Sequence, residues 1–260
     1  MSKSMDMAPV LDGNLRSHYV RLPEEAQSAS GIRILGRNIK SIAFTTDLAI
    51  IRNCDADAIF AVYPFTPQEV ILRTIAQASS LPVRAGVGGG TTGGMRSAIL
   101  AKDAEAAGAY GVVLNAPSTS MTVEMVSRIV DIPVIVTVID DDPLVVESRL
   151  ESGASVINVA AGRDTPSVVA KLRRKFPGTP FMATGGKTGA SVAATVSAGA
   201  NAVVCTPPTS AELFSPMMGR YRASVENAGA HLEARSLSET ARAEAKAEIE
   251  RLRNSALIVP

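Results

Sequence analysis

The chain has 260 residues, with 26 Lys and Arg against 25 Asp and Glu, which leaves a formal net charge of +1. No excess of positive charge is available to neutralise phosphates, so we expect no nucleic-acid partner. Two cysteines are too few for a disulfide framework and fit a reducing cytosol. No apolar run reaches the roughly 20 residues of a membrane span, so we expect a cytoplasmic protein without a membrane partner.

Short strand-like segments alternate with helical patterns from residue 39 onward. Some are apolar at consecutive positions, as in Val134–Val136, which is typical of strands buried on both faces. Eight strands are predicted: Ile39–Phe44, Ala58–Tyr63, Pro82–Val87, Gly111–Asn115, Pro133–Ile139, Ser155–Val159, Pro180–Thr184 and Ala202–Cys205. Cap-and-proline pairs at Thr66-Pro67, Asp142-Pro143 and Thr165-Pro166 predict helix starts in the gaps.

An internal repeat supports regular βα units. A Gly-Ala or Gly-Ala-like turn stands before the fourth, sixth and eighth predicted strands, at Gly108, Gly153 and Gly199. Glycine suits the helix C-cap at these positions, where a positive φ is needed. Eight such units in about 190 residues predict a (β/α)8 barrel. A doubly wound open sheet is the alternative, but eight regular units fill one closed ring without leftovers.

The predicted barrel occupies residues 39–228, with an N-terminal extension over 1–38 and a C-terminal helical tail over 229–260. From Ser236 to Asn254 the tail has an apolar stripe at helical spacing with charges of both signs around it. We expect the tail to pack on the barrel or on a partner subunit, and we therefore expect a homo-oligomer.

The loops after the seventh and eighth strands predict a phosphate site, because the active site of such a barrel lies at the C-terminal strand ends. Gly185 and Gly186 allow backbone N–H groups to approach an anion, and Lys187 adds a positive charge beside a helix start. The loop after the eighth strand contributes from Thr209 onward, since the prolines at 207–208 have no N–H. A plain strand-to-helix turn that needs glycine is the other interpretation.

At these residues the chain resembles the phosphate-binding (β/α)8-barrel superfamily. The resemblance rests on Ala183–Gly186 followed by Ala198–Val204, and it extends over roughly residues 39–222. That superfamily includes the histidine and tryptophan biosynthetic isomerases, the thiamine-phosphate and thiazole synthases, and FMN-binding oxidoreductase barrels. The shared motifs mark the superfamily and not one activity.

Two carboxylates are candidates for acid–base catalysis. Asp47 follows the first predicted strand and Asp140 follows the fifth, so they lie across the barrel mouth from each other. The resemblance points the same way, since sugar-phosphate isomerases that open a ribose ring place Asp at these two strand ends. Asp47 is equally well interpreted as a helix N-cap. Asp140 and Asp141 would be the ligands if Mg²⁺ is bound; otherwise we expect no metal.

Further polar and glycine residues follow other strands. Gly88, Gly89 and Gly90 form a glycine-rich loop whose backbone can approach a ligand; a dinucleotide fingerprint there would need an acidic residue about 20 positions on. Asn115 can hydrogen-bond a substrate and is the third predicted catalytic residue. Arg163 is expected to clamp a carboxylate or phosphate, or to form a salt bridge with a neighbouring Asp.

Two further polar or reactive residues are predicted to lie on strands of the barrel. Arg84 lies on the third predicted strand, and a charged side chain inside a barrel needs a partner. Cys205, on the last strand, is expected to be a core residue.

These residues favour an enzyme of isomerase or lyase type that acts on a small phosphorylated metabolite and needs no cofactor. Both histidines lie outside the predicted units and no strand interior holds a lysine, which excludes His-bound metal epimerases and Schiff-base aldolases. Three alternatives stay open: an FMN-dependent oxidoreductase, a Mg²⁺-dependent prenyl-diphosphate transferase, and a non-catalytic regulator that senses a phosphate ester.

Overall fold

The computed structural model describes residues 20–186, 188–233 and 239–256. The chain divides into two compact units, of which one spans Val20–Pro207 and the other contains the chain from Pro208 onward.

Eight parallel strands of the first unit close into a barrel, which confirms the (β/α)8 prediction. The strands are β3 (Ser41–Phe44), β4 (Ala58–Ala61), β5 (Val83–Gly88), β6 (Gly111–Leu114), β7 (Val134–Val138), β8 (Val156–Val159), β9 (Phe181–Gly186) and β10 (Ala202–Cys205). Each pairs with the next along the chain, and β10 pairs with β3 to close the ring. All eight predicted strands are therefore present, with ends that differ by up to two residues.

Seven helices follow the strands: α1 (Leu48–Arg52), α2 (Glu69–Ala78), α3 (Gly94–Ala106), α4 (Ser120–Ser127), α5 (Pro143–Glu151), α6 (Thr165–Lys175) and α7 (Gly189–Ser197). The Asp142 side chain caps α5 by accepting from the Leu144 N–H, as its place before Pro143 predicts. The start predicted at Thr66-Pro67 is wrong. The α2 helix begins at Glu69, and the N–H of Gln68 donates instead to the Tyr63 hydroxyl (2.8 Å).

A β-hairpin that the sequence analysis did not predict precedes the barrel. It consists of β1 (Ile32–Ile34) and β2 (Arg37–Ile39), joined at Leu35 and Gly36, both of which have positive φ. Its buried isoleucines form one cluster with inward-facing barrel residues such as Ile42, Phe60 and Val113. Because β2 runs directly into β3, the hairpin closes the N-terminal end of the barrel with apolar side chains.

The segment before the hairpin covers the outside of the ring. Leu22 and Ala26, the latter in a 3₁₀ helix over Glu24–Ser28, pack in one cluster with Ala43, Val203 and Cys205. These are outward-facing residues of β3 and β10, the two strands that close the barrel. The N-terminal extension thus contributes to the folded unit at two places, inside and outside the ring.

The second unit contains two helices in contact with each other, α8 (Ser210–Glu233) and α9 (Glu239–Ala256). The predicted tail helix from Ser236 corresponds to α9, although residues 234–238 and 257–260 lie outside the described part. At the start of α8, Thr209 and Glu212 form a capping box: the N–H of each donates to the side chain of the other (2.7 and 3.2 Å). Within the residues that the structure describes, no helix is long and apolar enough to cross a membrane.

The hairpin predicts a specific stability effect. Ile34 is 4% exposed and Leu35 is 61% exposed, although they are adjacent. Ile34→Ala should lower the free energy of unfolding by about 2–5 kcal/mol, because it leaves a cavity among packed side chains. Leu35→Ala should change it by less than about 0.5 kcal/mol. Urea denaturation of the two variants measures the difference, and equal losses would show that the hairpin does not close the barrel.

Candidate functional site

Three polar side chains form a hydrogen-bonded row inside the barrel near its C-terminal end. The Asn158 amide nitrogen donates to the Thr137 hydroxyl (3.1 Å), and this hydroxyl donates to the Asn115 amide oxygen (3.1 Å). The residues come from β8, β7 and the end of β6, which are neighbours in the ring. Thr137 and Asn158 lie two positions beyond the inward-facing Ile135 and Val156, so strand alternation places them inside as well.

Burial decreases along this row. Asn158 is 2% exposed, Thr137 is 8% exposed, and Asn115 is only partly buried, so Asn115 is the member that reaches the barrel mouth. Because the Asn115 amide oxygen is held by Thr137, its amide nitrogen is oriented as a donor for a bound molecule. The sequence pattern predicts Asn115 as a site residue but does not predict Thr137. Thr137 could have been found from its position two residues after Ile135, because every second residue of a strand faces the same side.

The glycine-rich loop packs directly against Asn115. The Asn115 N–H donates to the carbonyl oxygen of Gly88 (3.0 Å), and the Gly89 N–H donates to the carbonyl oxygen of Thr92 (2.8 Å). Gly89 has φ +154°, and a Cβ there would lie 3.1 Å from the Cβ of Asn115. Glycine at position 89 therefore lets the loop close onto Asn115. Gly90 is exposed at the tip of the turn.

The two glycines that end β9 serve different purposes. A Cβ at Gly185 would overlap the Val203 side chain of β10, so strand packing alone requires glycine there. Gly186 has φ +85° and turns the chain toward α7. The Thr188 hydroxyl caps that helix by accepting from the Ser191 N–H (3.3 Å).

The structure gives less support to the other parts of the predicted phosphate site. Lys187 lies outside the described residues. A Cβ at Gly189 would overlap the Glu25 carboxylate, so this carboxylate lies beside the first residue of α7 and weakens the attraction of that end for an anion. Thr209 belongs to the second unit, where its side chain serves the capping box of α8.

The two predicted acid–base residues follow strands on opposite sides of the ring, since β3 and β7 are four strands apart. One Asp47 oxygen accepts from the N–H groups of Ala49 (2.9 Å) and Ile50 (3.3 Å), so this carboxylate caps α1. Asp140 is exposed, and one of its oxygens accepts from the Asp142 N–H (3.2 Å). The structure thus adds a capping role for Asp47 and leaves Asp140 open to solvent.

The carboxylates after β7 do not gather around a common point. Asp141 forms an ion pair with Lys171 (2.5 Å), whose hydrogen bond and charge lower the pKa of Asp141. Asp142 caps α5. In the described part of the chain, no group of three or more His, Cys, Asp or Glu side chains is placed to hold a metal ion. The donor set therefore does not fit a preformed Mg²⁺ site, since only Asp140 is outside an ion pair or helix cap.

The remaining predicted residues have clear positions. Arg163 is exposed in a 3₁₀ helix over Gly162–Asp164, directly after β8. Cys205 is buried, and burial raises the pKa of its thiol to about 11, which fits a core residue and not a nucleophile.

On the opposite side of the mouth from the polar row, Phe44 ends β3 and its ring lies 6.0 Å from that of Phe60. The mouth is thus polar at β6–β8 and apolar at β3 and β4.

A double-mutant cycle tests the polar row. Thr137→Val keeps the shape of the side chain but removes the hydroxyl. It leaves the buried Asn158 amide nitrogen and the partly buried Asn115 amide oxygen without this partner, which should cost about 1–3 kcal/mol of stability. Asn158→Ala should couple to it by about 0.5–3 kcal/mol. Thr74→Val, the same chemical change on the exposed face of α2, is the control. If the losses of stability in Thr137→Val and Asn158→Ala are additive, the two side chains do not interact, which would contradict the hydrogen-bonded row.

Solved structures with a similar fold are known. Phosphoenolpyruvate phosphomutase from Streptomyces platensis subsp. rosaceus aligns with a TM-score of 0.54 and 16% identity, over 84% of this chain and 94% of that one. Phosphonopyruvate hydrolase in complex with oxalate and Mg²⁺ aligns with a TM-score of 0.53 and 16% identity, over 90% and 97%. 2,3-Dimethylmalate lyase, a member of the PEP mutase/isocitrate lyase superfamily, aligns with a TM-score of 0.52 and 12% identity, over 91% and 97%.

At these identities the likeness concerns the fold alone. The superfamily printed for 2,3-dimethylmalate lyase is not among the groups that the sequence motifs suggested. No protein-family model and no curated protein sequence matches the chain.

Proposed function

We propose that this chain is an enzyme of isomerase or lyase type that acts on a small phosphorylated metabolite. The observation that carries the proposal is the row from Asn158 through Thr137 to Asn115, which fixes one amide donor at the C-terminal mouth of the barrel. The names of the structural neighbours support the reaction classes, since they include a phosphomutase, a hydrolase and a lyase.

Asn115 orients the polar body of the substrate. Its amide nitrogen donates to a carbonyl, hydroxyl or phosphate oxygen, while Thr137 holds the other end of the amide group. A donor fixed in advance costs little ordering entropy when the ligand binds. The turn at Gly89 and Gly90 lies against the same residue and limits the space beside it.

The phosphate is gripped at the turn of Gly186 into α7. Backbone N–H groups of a first helical turn have no acceptor within the helix. In α7 the Ser191 N–H is already taken by the Thr188 hydroxyl, so the N–H groups of Gly189 and Ala190 are the ones that would serve an anion. Lys187 would add charge there, and Arg163, which follows the neighbouring strand β8, would supply a second cation. The nearby Glu25 carboxylate opposes this attraction, so the proposal depends on these cations.

Proton transfer belongs to Asp140, with Asp47 across the mouth as its counterpart. One Asp140 oxygen is held by the Asp142 N–H, which orients the carboxylate, and the other faces solvent at the rim. In an isomerisation one of the two groups removes a proton from the substrate while the other returns one at a different atom. No step is assigned to a metal ion, because the described residues form no preformed metal site.

A regulator that binds a phosphate ester without converting it is the second candidate. The observation that favours it is the composition of the inner mouth, where Asn115, Thr137 and Asn158 are all uncharged amides or hydroxyls. Such groups bind and orient a ligand but do not transfer protons at neutral pH. Turnover by the wild-type chain decides between the two candidates.

The phosphate assignment predicts a loss of affinity in Gly186→Ala. A Cβ at this position would lie 2.9 Å from the Ser191 hydroxyl, and the positive φ is unfavourable for alanine. The turn must shift, so affinity for a phosphate ester should fall at least tenfold by calorimetric titration. Gly178→Ala is the matched control, because nothing lies within 4 Å of its Cβ and its φ is not positive. Unchanged affinity in Gly186→Ala would show that the phosphate does not bind at this turn.

The proton-transfer assignment predicts a fall in kcat in Asp140→Asn. The substitution keeps the shape and removes the basic carboxylate, so kcat should fall by at least 10²-fold while affinity changes little. The assay uses the phosphate ester of a panel that the wild type converts. Asp131→Asn is the control, since this exposed residue precedes β7 at the other end of the barrel. A normal rate in Asp140→Asn would exclude Asp140 from the chemistry.

A further inference from the structure

One strand of the barrel contributes no apolar side chain to the interior. The inward-facing cluster receives residues from β3, β4 and β6–β10, but none from β5. Arg84 of β5 is in register with the inward-facing Phe60, so the inward positions of β5 are Arg84 and Gly86. The interior of the barrel therefore contains an arginine where its neighbours supply hydrocarbon.

The Arg84 side chain is completely buried, at 0% exposure. Its Nη1 has one weak contact, with the carbonyl oxygen of Pro82 at 3.5 Å. Nε and Nη2 have no hydrogen-bond partner among the described residues. These two nitrogens share one edge of the planar guanidinium and present parallel N–H groups, which is the fork that binds anions in a bidentate way.

Gly111 and Pro82 are neighbours of this side chain. A Cβ at Gly111 of β6 would lie 3.0 Å from the Ile135 side chain and 3.5 Å from Cγ of Arg84. The tight contact there is with Ile135, while the arginine stem lies at ordinary van der Waals distance from this position. The contact with Pro82, which precedes β5, shows that the guanidinium is directed toward the end of the barrel that the hairpin closes.

Among the residues that the structure describes, no carboxylate pairs directly with this charge. Asp57 attracts Arg84, but burial has the larger effect and lowers the Arg84 pKa to about 10. The Asp57 Oδ2 accepts from the N–H groups of Lys40 and Ser41 and from the Ser41 hydroxyl. At neutral pH Arg84 is thus still positively charged. Water would satisfy its N–H groups but would leave the buried charge uncompensated, which is costly.

We propose that Arg84 binds one small monovalent anion, of the size of chloride, through Nε and Nη2 inside the barrel. The anion is a structural ligand and not a substrate, because the guanidinium is enclosed away from the mouth. Arg84 lies four residues before Gly88, roughly 13 Å along the strand. This inference is independent of the proposed enzymatic function.

Two measurements on the full chain test the proposal. The first is the Tm in sodium chloride and in sodium gluconate at equal ionic strength, since gluconate is too large to be enclosed. Chloride should raise the wild-type Tm by several degrees and saturate, because a ligand that binds only the folded state stabilises it by mass action. Arg84→Met should lose this difference. Arg33→Met, the same charge change at the exposed position of strand β1, should keep it.

The second measurement does not depend on whether Arg84→Met folds. Wild-type crystals grown in sodium bromide should show an anomalous peak within hydrogen-bonding distance of Arg84 Nε and Nη2. A peak there together with a saturating chloride effect supports the anion. Density for water at the fork without an anomalous signal would overturn it, as would equal Tm values for the wild type in the two salts.

Discussion

Closure of the eight-stranded ring determines both the packing of the interior and the residues that meet at the mouth. A closed parallel barrel turns every second residue of each strand inward, so the interior has to be filled completely and its open end has to be covered. This chain fills the centre with one or two apolar residues from each strand except β5, which supplies Arg84, and it covers the N-terminal end with the isoleucines of the hairpin. Closure also fixes which residues meet at the mouth, since the carboxyl ends of all eight strands lie on one rim.

The candidate site is a consequence of the same alternation. One step beyond the apolar layer, the inward positions of three neighbouring strands are polar, and they are linked by hydrogen bonds in a row that ends at Asn115. Burial decreases along this row, so the inner members hold the outer one in place. The mouth therefore presents an oriented amide on one side and the aromatic ring of Phe44 on the other. A ligand that fits has both a polar and an apolar side.

The sequence predicted the strands well because each is short, apolar and bounded by glycine or proline turns, and these local signals agree with the global fold. The hairpin was missed because its turn, Leu35-Gly36, lacks the Asn-Gly or Asp-Gly signal and its strands have only three residues each. The site was predicted in part. Asn115 could be predicted because it ends a strand of the barrel. The role of Thr137 could not, because it depends on which side chain lies opposite it in the neighbouring strand. Gly185 shows the same limit, since the reason for glycine there is the Val203 side chain of another strand.

Binding of a phosphorylated metabolite at the mouth can be measured by titration of the wild-type chain. A panel of small phosphate esters and their dephosphorylated counterparts is titrated into the full chain by calorimetry. The account predicts that at least one ester binds and that its dephosphorylated counterpart binds at least 100-fold more weakly, a difference of about 2.7 kcal/mol. Equal binding of the two, or no binding by any ester, would contradict it.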